Sequence, residues 1–285
     1  MRGFLHRLLS GRRRARVPVN RTVSVAIPVY GDPRIALKAA ARLARDRRVG
    51  LVVMNDDASR HRHAERLAAG AARLGGKVRF YRNAENLGAF ANKLATLALC
   101  PPGFVLLLDS DNIAGKDYLD ALFEDPRWDP GTIYCPEFAE PAFDFRRISG
   151  KVIDFERARL TLSGAKIRWF RALLNTGNFV VDRDRYVACA QPYRDIAVAA
   201  ADVIAFNYLW LRAGGRLKVV RGMRYRHRRH ENSFFARTAS VSTELAHDVA
   251  RAFLCEADYE FPRYGSRFAA DPEQPRTLQM LPEPT

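Results

Sequence analysis

Residues 104–111 read Phe-Val-Leu-Leu-Leu-Asp-Ser-Asp, an apolar run that ends in two carboxylates. Such a run fits a strand covered on both faces of a sheet, because an exposed face would require polar residues at alternate positions. Asp109 and Asp111 follow the run directly, so they fall at the carboxyl end of that strand. The stretch predicts a buried strand that delivers acidic side chains to one edge of a sheet.

The same alternation of strand and helix precedes this stretch. Strands are predicted at 23–29, 51–54 and 77–81, and the segments that follow them have helical spacing at 35–47, 61–74 and 88–99. Strands that alternate with helices of about 10–15 residues are typical of parallel βαβ units. We predict an α/β fold, a three-layer α/β/α sandwich with a mostly parallel mixed sheet.

The pattern is weaker in the second half of the chain, where residues 137–175 give no consistent periodicity. Elsewhere in that half we expect strands and helices in the following places: strands at 132–135, 178–181 and 217–220, and helices at 202–213 and 243–254. The first 21 residues form a basic arm, residues 22–261 a single domain, and residues 262–285 a proline-rich tail.

The formal net charge of +16 suggests a nucleic-acid binder at first sight, but its distribution argues against one. Residues 1–21 contain seven arginines and no acid, so nearly half of the excess lies in the arm. The rest is spread along the chain without a zinc-finger or RNP motif. We do not expect nucleic-acid binding. The arm is either a disordered terminus or a peripheral contact with anionic lipid headgroups.

The sequence favours a cytoplasmic protein, with contact at the inner face of the membrane through the arm as a further option. We find no apolar run near the ~20 residues that a membrane span needs, and no signal-peptide core. The four cysteines are isolated, as is usual for small buried residues in a reducing compartment: Cys100, Cys135, Cys189 and Cys255.

Carboxylates follow three of the first four predicted strands, at Asp32, at Asp56-Asp57 and at Asp109-Ser110-Asp111. Acids gathered at one sheet edge repel each other unless a cation or a hydrogen-bonding ligand offsets the repulsion. The glycine-rich loops that usually hold phosphates are absent. A nucleotide bound here would need a metal on carboxylates, and Asp109 and Asp111 suit Mn²⁺ or Mg²⁺. Asp182-Arg183-Asp184 also follows a strand, but its arginine predicts a solvated helix start.

Four segments in this order resemble the family 2 glycosyltransferases of the GT-A fold. They are Ile27-Pro28-Val29-Tyr30, Asn55-Asp56-Asp57-Ala58-Ser59, Asn86-Leu87-Gly88 with Asn92, and Leu107-Leu108-Asp109-Ser110-Asp111. The resemblance covers about residues 22–235. It implies that residues 22–115 bind a nucleotide and that residues 116–261 face an acceptor.

The resemblance also implies a role for individual side chains. A catalytic base is expected at Asp202, with Asp195 as an alternative carboxylate and a plain helix N-cap as the alternative role of Asp202. The nucleotide sugar would be bound by Pro28, Tyr30, Asp57, Asn86, Asp109, Asp111 and His230, and the metal, Mn²⁺ or Mg²⁺, by Asp111, Asp109 and His230. Two positions depart from the family pattern: residue 201 is Ala where Glu is usual, and Ala58 stands where Gly or Asn is more common.

The implied reaction is a metal-dependent, inverting transfer of a sugar from a nucleotide-diphosphate sugar, with UDP as the expected carrier, to a hydroxyl. The acceptor is an unidentified glycan, lipid-linked or protein group, as in cell-envelope polysaccharide synthesis. The Q-x-x-R-W signature of processive synthases does not follow Asp202, so we expect single transfers. Two alternatives remain: a nucleotidyltransferase of the same broad fold, and a non-catalytic basic module that binds membranes or anions.

Overall fold

The computed structural model describes residues 21–141, 143–163, 173–228, 234–255 and 258–263, and in these its ten strands form one sheet. The strands are β1 Val23–Val29, β2 Val49–Asp56, β3 Val78–Arg82, β4 Phe104–Leu107, β5 Ile113–Ala114, β6 Thr132–Glu140, β7 Phe143–Asp144, β8 Val152–Ile153, β9 Val180–Asp182 and β10 Arg216–Arg226. The helices are α1 Arg34–Ala44, α2 His61–Leu74, α3 Gly88–Ala98, α4 Lys116–Glu124, α5 Phe155–Ser163, α6 Arg183–Ala190, α7 Asp202–Arg212, α8 Phe234–Arg237 and α9 Ala239–Leu254.

The first four strands are parallel, so their carboxyl ends meet at one edge of the sheet. The strand order is β3-β2-β1-β4-β9-β6-β10-β5, with β7 beside β6 and β8 beside β10. Strand β1 pairs in parallel with both β2 and β4, and β2 pairs in parallel with β3. Strand β9 runs antiparallel to both β4 and β6, which makes the sheet mixed. The predicted α/β class is confirmed.

Helices cover both faces of this sheet. Successive strand residues point to opposite sides, so neighbouring residues of one strand contact different helices. Ala26 of β1 joins an apolar cluster with α3, α7 and α9, whereas its neighbours Val25 and Ile27 join a second cluster with α1, α2 and α4. Each cluster lies between the sheet and the helices on one of its faces, so the fold is a three-layer sandwich. This double cover explains why the central strands are apolar throughout.

Several short elements lie among the described residues of the stretch 137–175 that the sequence left unassigned, together with helix α5. Strand β6 continues to Glu140, and strands β7 and β8 that follow have two residues each. Elements of that length carry no measurable periodicity. The interpretation of residues 182–184 is confirmed, because the side chain of Asp182 accepts a hydrogen bond from the Arg185 N–H and caps α6.

One residue in the turn after β2 adopts a left-handed backbone conformation. Ala58 has a φ of 55°, a region that costs alanine on the order of 1 kcal/mol and that Asn tolerates better. We expect Ala58→Asn to raise the free energy of unfolding by about 0.5–1 kcal/mol, measured by urea denaturation.

The matched control is Ala72→Asn, at an exposed position inside helix α2. Asn is a weaker helix former than Ala, so this variant should lose about 0.5 kcal/mol. A loss of stability in Ala58→Asn as large as that in the control would contradict the assigned strain.

Candidate active site

The turn after β1 presents an aromatic side chain at the carboxyl edge of the sheet. Pro28 is buried within β1, whereas Tyr30 lies just beyond the strand and is 39% exposed. The Gly31 N–H donates to Ser59 Oγ over 2.8 Å, which ties this turn to the turn after β2. This hydrogen bond holds the backbone of the turn that carries the exposed ring of Tyr30.

Asp57 connects the end of β2 to the start of α3. Its carboxylate accepts hydrogen bonds from Asn83 Nδ2 at 2.8 Å, from the Leu87 N–H at 2.9 Å and from the Gly88 N–H at 3.0 Å. The side chain of Asp57 is buried, and this burial raises its pKa to about 6 although the three hydrogen bonds act in the opposite direction. Asp57 thus places the first turn of α3 against the end of β2.

A group of asparagines completes this part of the edge. Asn55 Nδ2 donates to both Asn83 Oδ1 and Asn92 Oδ1 at 3.0 Å, and Asn83 Nδ2 donates to Asn92 Oδ1 at 3.1 Å. Asn86 Oδ1 accepts from the Gly88 N–H at 2.9 Å. These bonds join β2, the loop after β3 and helix α3, and they leave Asn86 in the loop that precedes the helix.

Lys93 is the centre of the acidic part of the edge. Its Nζ lies 2.8 Å from Asp109 Oδ1 and 2.6 Å from Asp202 Oδ2, and its side chain is 11% exposed. Burial alone would lower the pKa of Lys93, but the two carboxylates outweigh burial and raise it. One lysine therefore brings together the first acid of the D-x-D segment and the expected catalytic base.

The second oxygen of Asp109 is occupied by amide donors. Asn112 Nδ2 and Asn178 Nδ2 each lie 3.3 Å from Asp109 Oδ2, and the Asp109 N–H donates to Asn178 Oδ1 over 2.8 Å. Burial opposes ionisation of Asp109, yet the charge of Lys93 keeps the pKa of Asp109 below its ordinary value. Asp109 is thus held as a carboxylate in a fixed orientation.

Asp202 is the first residue of helix α7 and is 6% exposed. The N-cap position belongs to Ala201, so the plain N-cap alternative does not describe the structure. The contact of Asp202 with Lys93 is a close ion pair that is poorly directed for a hydrogen bond. Asp195, the alternative carboxylate, pairs at the surface with Arg263.

Asp111 lies beside the end of β10. The next residue, Asn112, accepts a hydrogen bond from the Arg228 N–H at 3.1 Å through Oδ1, and Ala114 of β5 pairs with Tyr225. His227 is the residue that follows β10, and its ring packs edge-on against the ring of Phe143, with the ring centroids 5.5 Å apart. His230 lies outside the described residues. In the described part of the chain, no three acidic, histidine or cysteine side chains form a ready metal cluster.

Sequence reasoning missed Lys93, Asn112 and Asn178. Lys93 carried a usable signal, because it is the only charged residue in α3, a helix of 11 residues with many buried positions. A lone charge among buried helix positions needs a buried partner. The asparagines had no comparable signal, since asparagine is common in turns whatever its role.

The raised pKa of Asp57 predicts a pH-dependent stability. An acid whose pKa rises from 3.8 to about 6 on folding contributes stability that is complete below about pH 4 and is lost as the pH rises through about 6. Asp57→Asn cannot ionise there. Its stability relative to wild type should therefore increase by about 1–3 kcal/mol between about pH 4 and about pH 7, measured by urea unfolding.

Asp144→Asn serves as the control of opposite sign. A side-chain hydrogen bond from Arg146 lowers the pKa of Asp144 to about 2, so the stability of this variant relative to wild type should fall between about pH 2 and about pH 4 and change little from about pH 4 to about pH 7. A flat difference curve for Asp57→Asn would show that its pKa is ordinary.

The fold and the site can be compared with known proteins. The structure resembles that of S. aureus TarS residues 1–349, with a TM-score of 0.55, 15% identity and coverage of 84% of this chain and 67% of that one. A structure of the same TarS fragment in complex with UDP-GlcNAc gives a TM-score of 0.57 at 14% identity, with 84% and 68% coverage. The chain covers 44% of a longer TarS structure.

The sequence was compared with curated proteins and with protein-family models. None of the curated proteins compared with the chain matches it significantly. The sequence model of glycosyl transferase family 2 matches residues 24–172, which include β1, the acids after β2 and β4, and Lys93. That range is more than half of the 285 residues. The chain belongs to glycosyl transferase family 2.

Proposed function

We propose that this glycosyltransferase moves a sugar from a nucleoside-diphosphate sugar, with uridine as the nucleoside, to a hydroxyl of a glycan, lipid-linked or protein acceptor. The observation that carries the proposal is the contact of Lys93 with both Asp109 and Asp202 at the carboxyl edge of the sheet. In open α/β sheets, ligands bind at this edge. The S. aureus TarS fragment, which has the same fold, has been crystallised with UDP-GlcNAc.

The nucleoside would lie at the end of β1 and β2. Tyr30 offers a half-exposed ring against which a base can stack, and Pro28 borders it from within the strand. From the described residues Asp57 accepts three hydrogen bonds, and since a carboxylate can accept about four, a base N–H could donate a fourth. Asn86, in the loop before α3, would close the pocket on that side.

The acids present fit a divalent metal that is bound mainly through the donor's diphosphate. Mg²⁺ usually needs only one or two protein carboxylates when substrate phosphates supply other ligands. Asp111 would be the main ligand, with Asp109 alongside, whose oxygens also contact Lys93, Asn112 and Asn178, and with His230 as a further ligand. Mn²⁺ or Mg²⁺ held there would stabilise negative charge on the leaving diphosphate.

Asp202 would act as the general base. Its carboxylate would take the proton of the acceptor hydroxyl while that oxygen attacks the anomeric carbon from the face opposite the diphosphate. The bond from this carbon to the diphosphate oxygen breaks in the same displacement, so the configuration inverts without a covalent intermediate. Lys93 holds the carboxylate of Asp202 at the donor-binding edge.

The two alternative functions have less support. Family membership favours glycosyl transfer over nucleotidyl transfer and over a non-catalytic module. Residues 1–20, which contain most of the basic arm, lie outside the described residues, and no described helix has the length and apolarity to cross a bilayer. The arm could still bring the enzyme to anionic lipid at the inner face of the membrane, and we retain that cytoplasmic placement as a proposal.

Asp202→Asn tests the assignment of the base. Removal of a general base typically costs ~10²–10⁴ in rate, so kcat for transfer should fall by about that factor while the Kd for the donor changes by less than about threefold. The control is Asp195→Asn, which removes a surface carboxylate paired with Arg263 and should leave kcat unchanged. Normal turnover in Asp202→Asn would place the base elsewhere.

Removal of metal tests the role of Asp111. Excess chelator should abolish transfer, and added Mn²⁺ or Mg²⁺ should restore it, because the diphosphate leaves poorly without a Lewis acid. In Asp111→Asn the metal concentration for half-maximal activity should rise by about tenfold or more, a loss of about 1.4 kcal/mol in metal binding. Full activity of the wild-type enzyme in chelator would overturn metal dependence.

A further inference from the structure

We propose that Lys93 is a positioning residue that fixes the expected base, Asp202, relative to the donor-binding acid, Asp109. We refer to Lys93, Asp109 and Asp202 as the Lys93 cluster. The inference rests on the proposed function, because it assigns Lys93 a part in that same transfer. It adds to that function a residue that would act through Asp109 and Asp202 rather than through contact with either substrate.

The contacts and burial of Lys93 carry the inference. A lysine ammonium that is 11% exposed has lost most of its hydration, and such a charge is tolerated only beside opposite charges. Here its Nζ has a carboxylate oxygen at 2.8 Å and another at 2.6 Å. The second contact is with Asp202, for which Lys93 is the contacting cation among the described residues.

The Lys93 cluster joins three separate parts of the fold. Lys93 belongs to α3, Asp109 follows β4, and Asp202 begins α7. Asp109 is itself fixed, since Asn112 and Asn178 donate to its second oxygen. Because the Lys93 ammonium contacts both acids, it fixes the carboxylate of Asp202 relative to that of Asp109.

This arrangement predicts which kinetic constant depends on Lys93. Donor binding would use Tyr30, Asp57 and Asp111, which lie outside the cluster, and Asp109, whose second oxygen is held by Asn112 and Asn178 without Lys93. Without Lys93 the buried carboxylate of Asp202 would lie near the partly exposed carboxylate of Asp109 with no cation between them, and repulsion would turn Asp202 away from the acceptor hydroxyl. Misplacement of a reacting group by about 1 Å can cost ~10²-fold in rate. Turnover should fall while donor affinity is kept.

Lys93→Met tests this because methionine has a similar length and no charge. We expect kcat per donor site to fall by about 30-fold or more, with the donor Kd within about threefold of wild type. Donor sites are counted by calorimetric titration, so a misfolded fraction does not lower the result. The matched control is Lys116→Met, which breaks a contact of 2.7 Å with Asp120 at a lysine that is 66% exposed and should leave kcat unchanged.

A second measurement does not depend on activity. The Tm is compared for wild type, Lys93→Met, Asp202→Asn and the double variant. Removal of one carboxylate should relieve repulsion only when Lys93 is absent. The change in Tm caused by Asp202→Asn should therefore be at least about 3 °C more positive in the Lys93→Met background than in wild type. If Lys93→Met alone does not fold, Lys93→Gln replaces it in the same cycle.

The outcomes separate this inference from the proposed function. Unchanged kcat per donor site in Lys93→Met, or Tm effects that simply add, would overturn the positioning role and leave the proposed transfer intact. A wild-type protein that transfers no sugar would instead overturn the proposed function, while the thermal cycle would still report whether Lys93 couples to Asp202. A large fall in kcat together with non-additive Tm effects supports the inference.

Discussion

The buried ammonium of Lys93 between two carboxylates is the interaction on which the site depends. Its Nζ contacts Asp109 Oδ1 and Asp202 Oδ2 within 2.8 Å, although the three residues belong to separate parts of the chain. A buried ion group of this kind contributes little to stability compared with apolar packing, but the loss of one member is costly. The arrangement is therefore better explained by the position it gives Asp202 than by the stability it adds. The apolar layers on either side of the sheet keep the three elements close enough for the contact to form.

The net positive charge of the protein does not describe its candidate site, where acids are gathered. The +16 excess suggested a polyanionic partner, yet four of the assigned side chains are acids: Asp57, Asp109, Asp111 and Asp202. The first three follow β2 and β4, where parallel strands bring carboxyl ends to one edge, and Asp202 begins α7. Each acid at this edge has a distinct environment: Asp57 accepts three hydrogen bonds with a raised pKa, and Asp109 faces a cation with a lowered pKa. One sheet edge thus holds one acid with a raised pKa and one with a lowered pKa, which suits a site that binds both a base and a diphosphate.

Much of this fold follows from the sequence, because its signals are local. A β-branched run predicted β1 at 23–29, and helical spacing predicted α2 at 61–74, and the structure has the same bounds. What could not be predicted depends on contacts between distant residues. Asn178 reaches Asp109 across 69 positions, and no periodicity encodes that pair. The short strands β7 and β8 gain their structure from β6 and β10 rather than from their own sequence. The role given to His230 stays a prediction, since that residue lies outside the described part of the chain.

We propose that this edge of the sheet binds a nucleoside-diphosphate sugar. The most direct test is calorimetric titration of a panel of such sugars, UDP-GlcNAc among them, into the protein with Mn²⁺ or Mg²⁺ present. We expect saturable binding of at least one donor at one site per chain, and a loss of about tenfold or more in affinity for Tyr30→Ala, which removes the half-exposed ring at the end of β1. Flat titrations with every donor, or an unchanged affinity in Tyr30→Ala, would contradict a donor site at this edge.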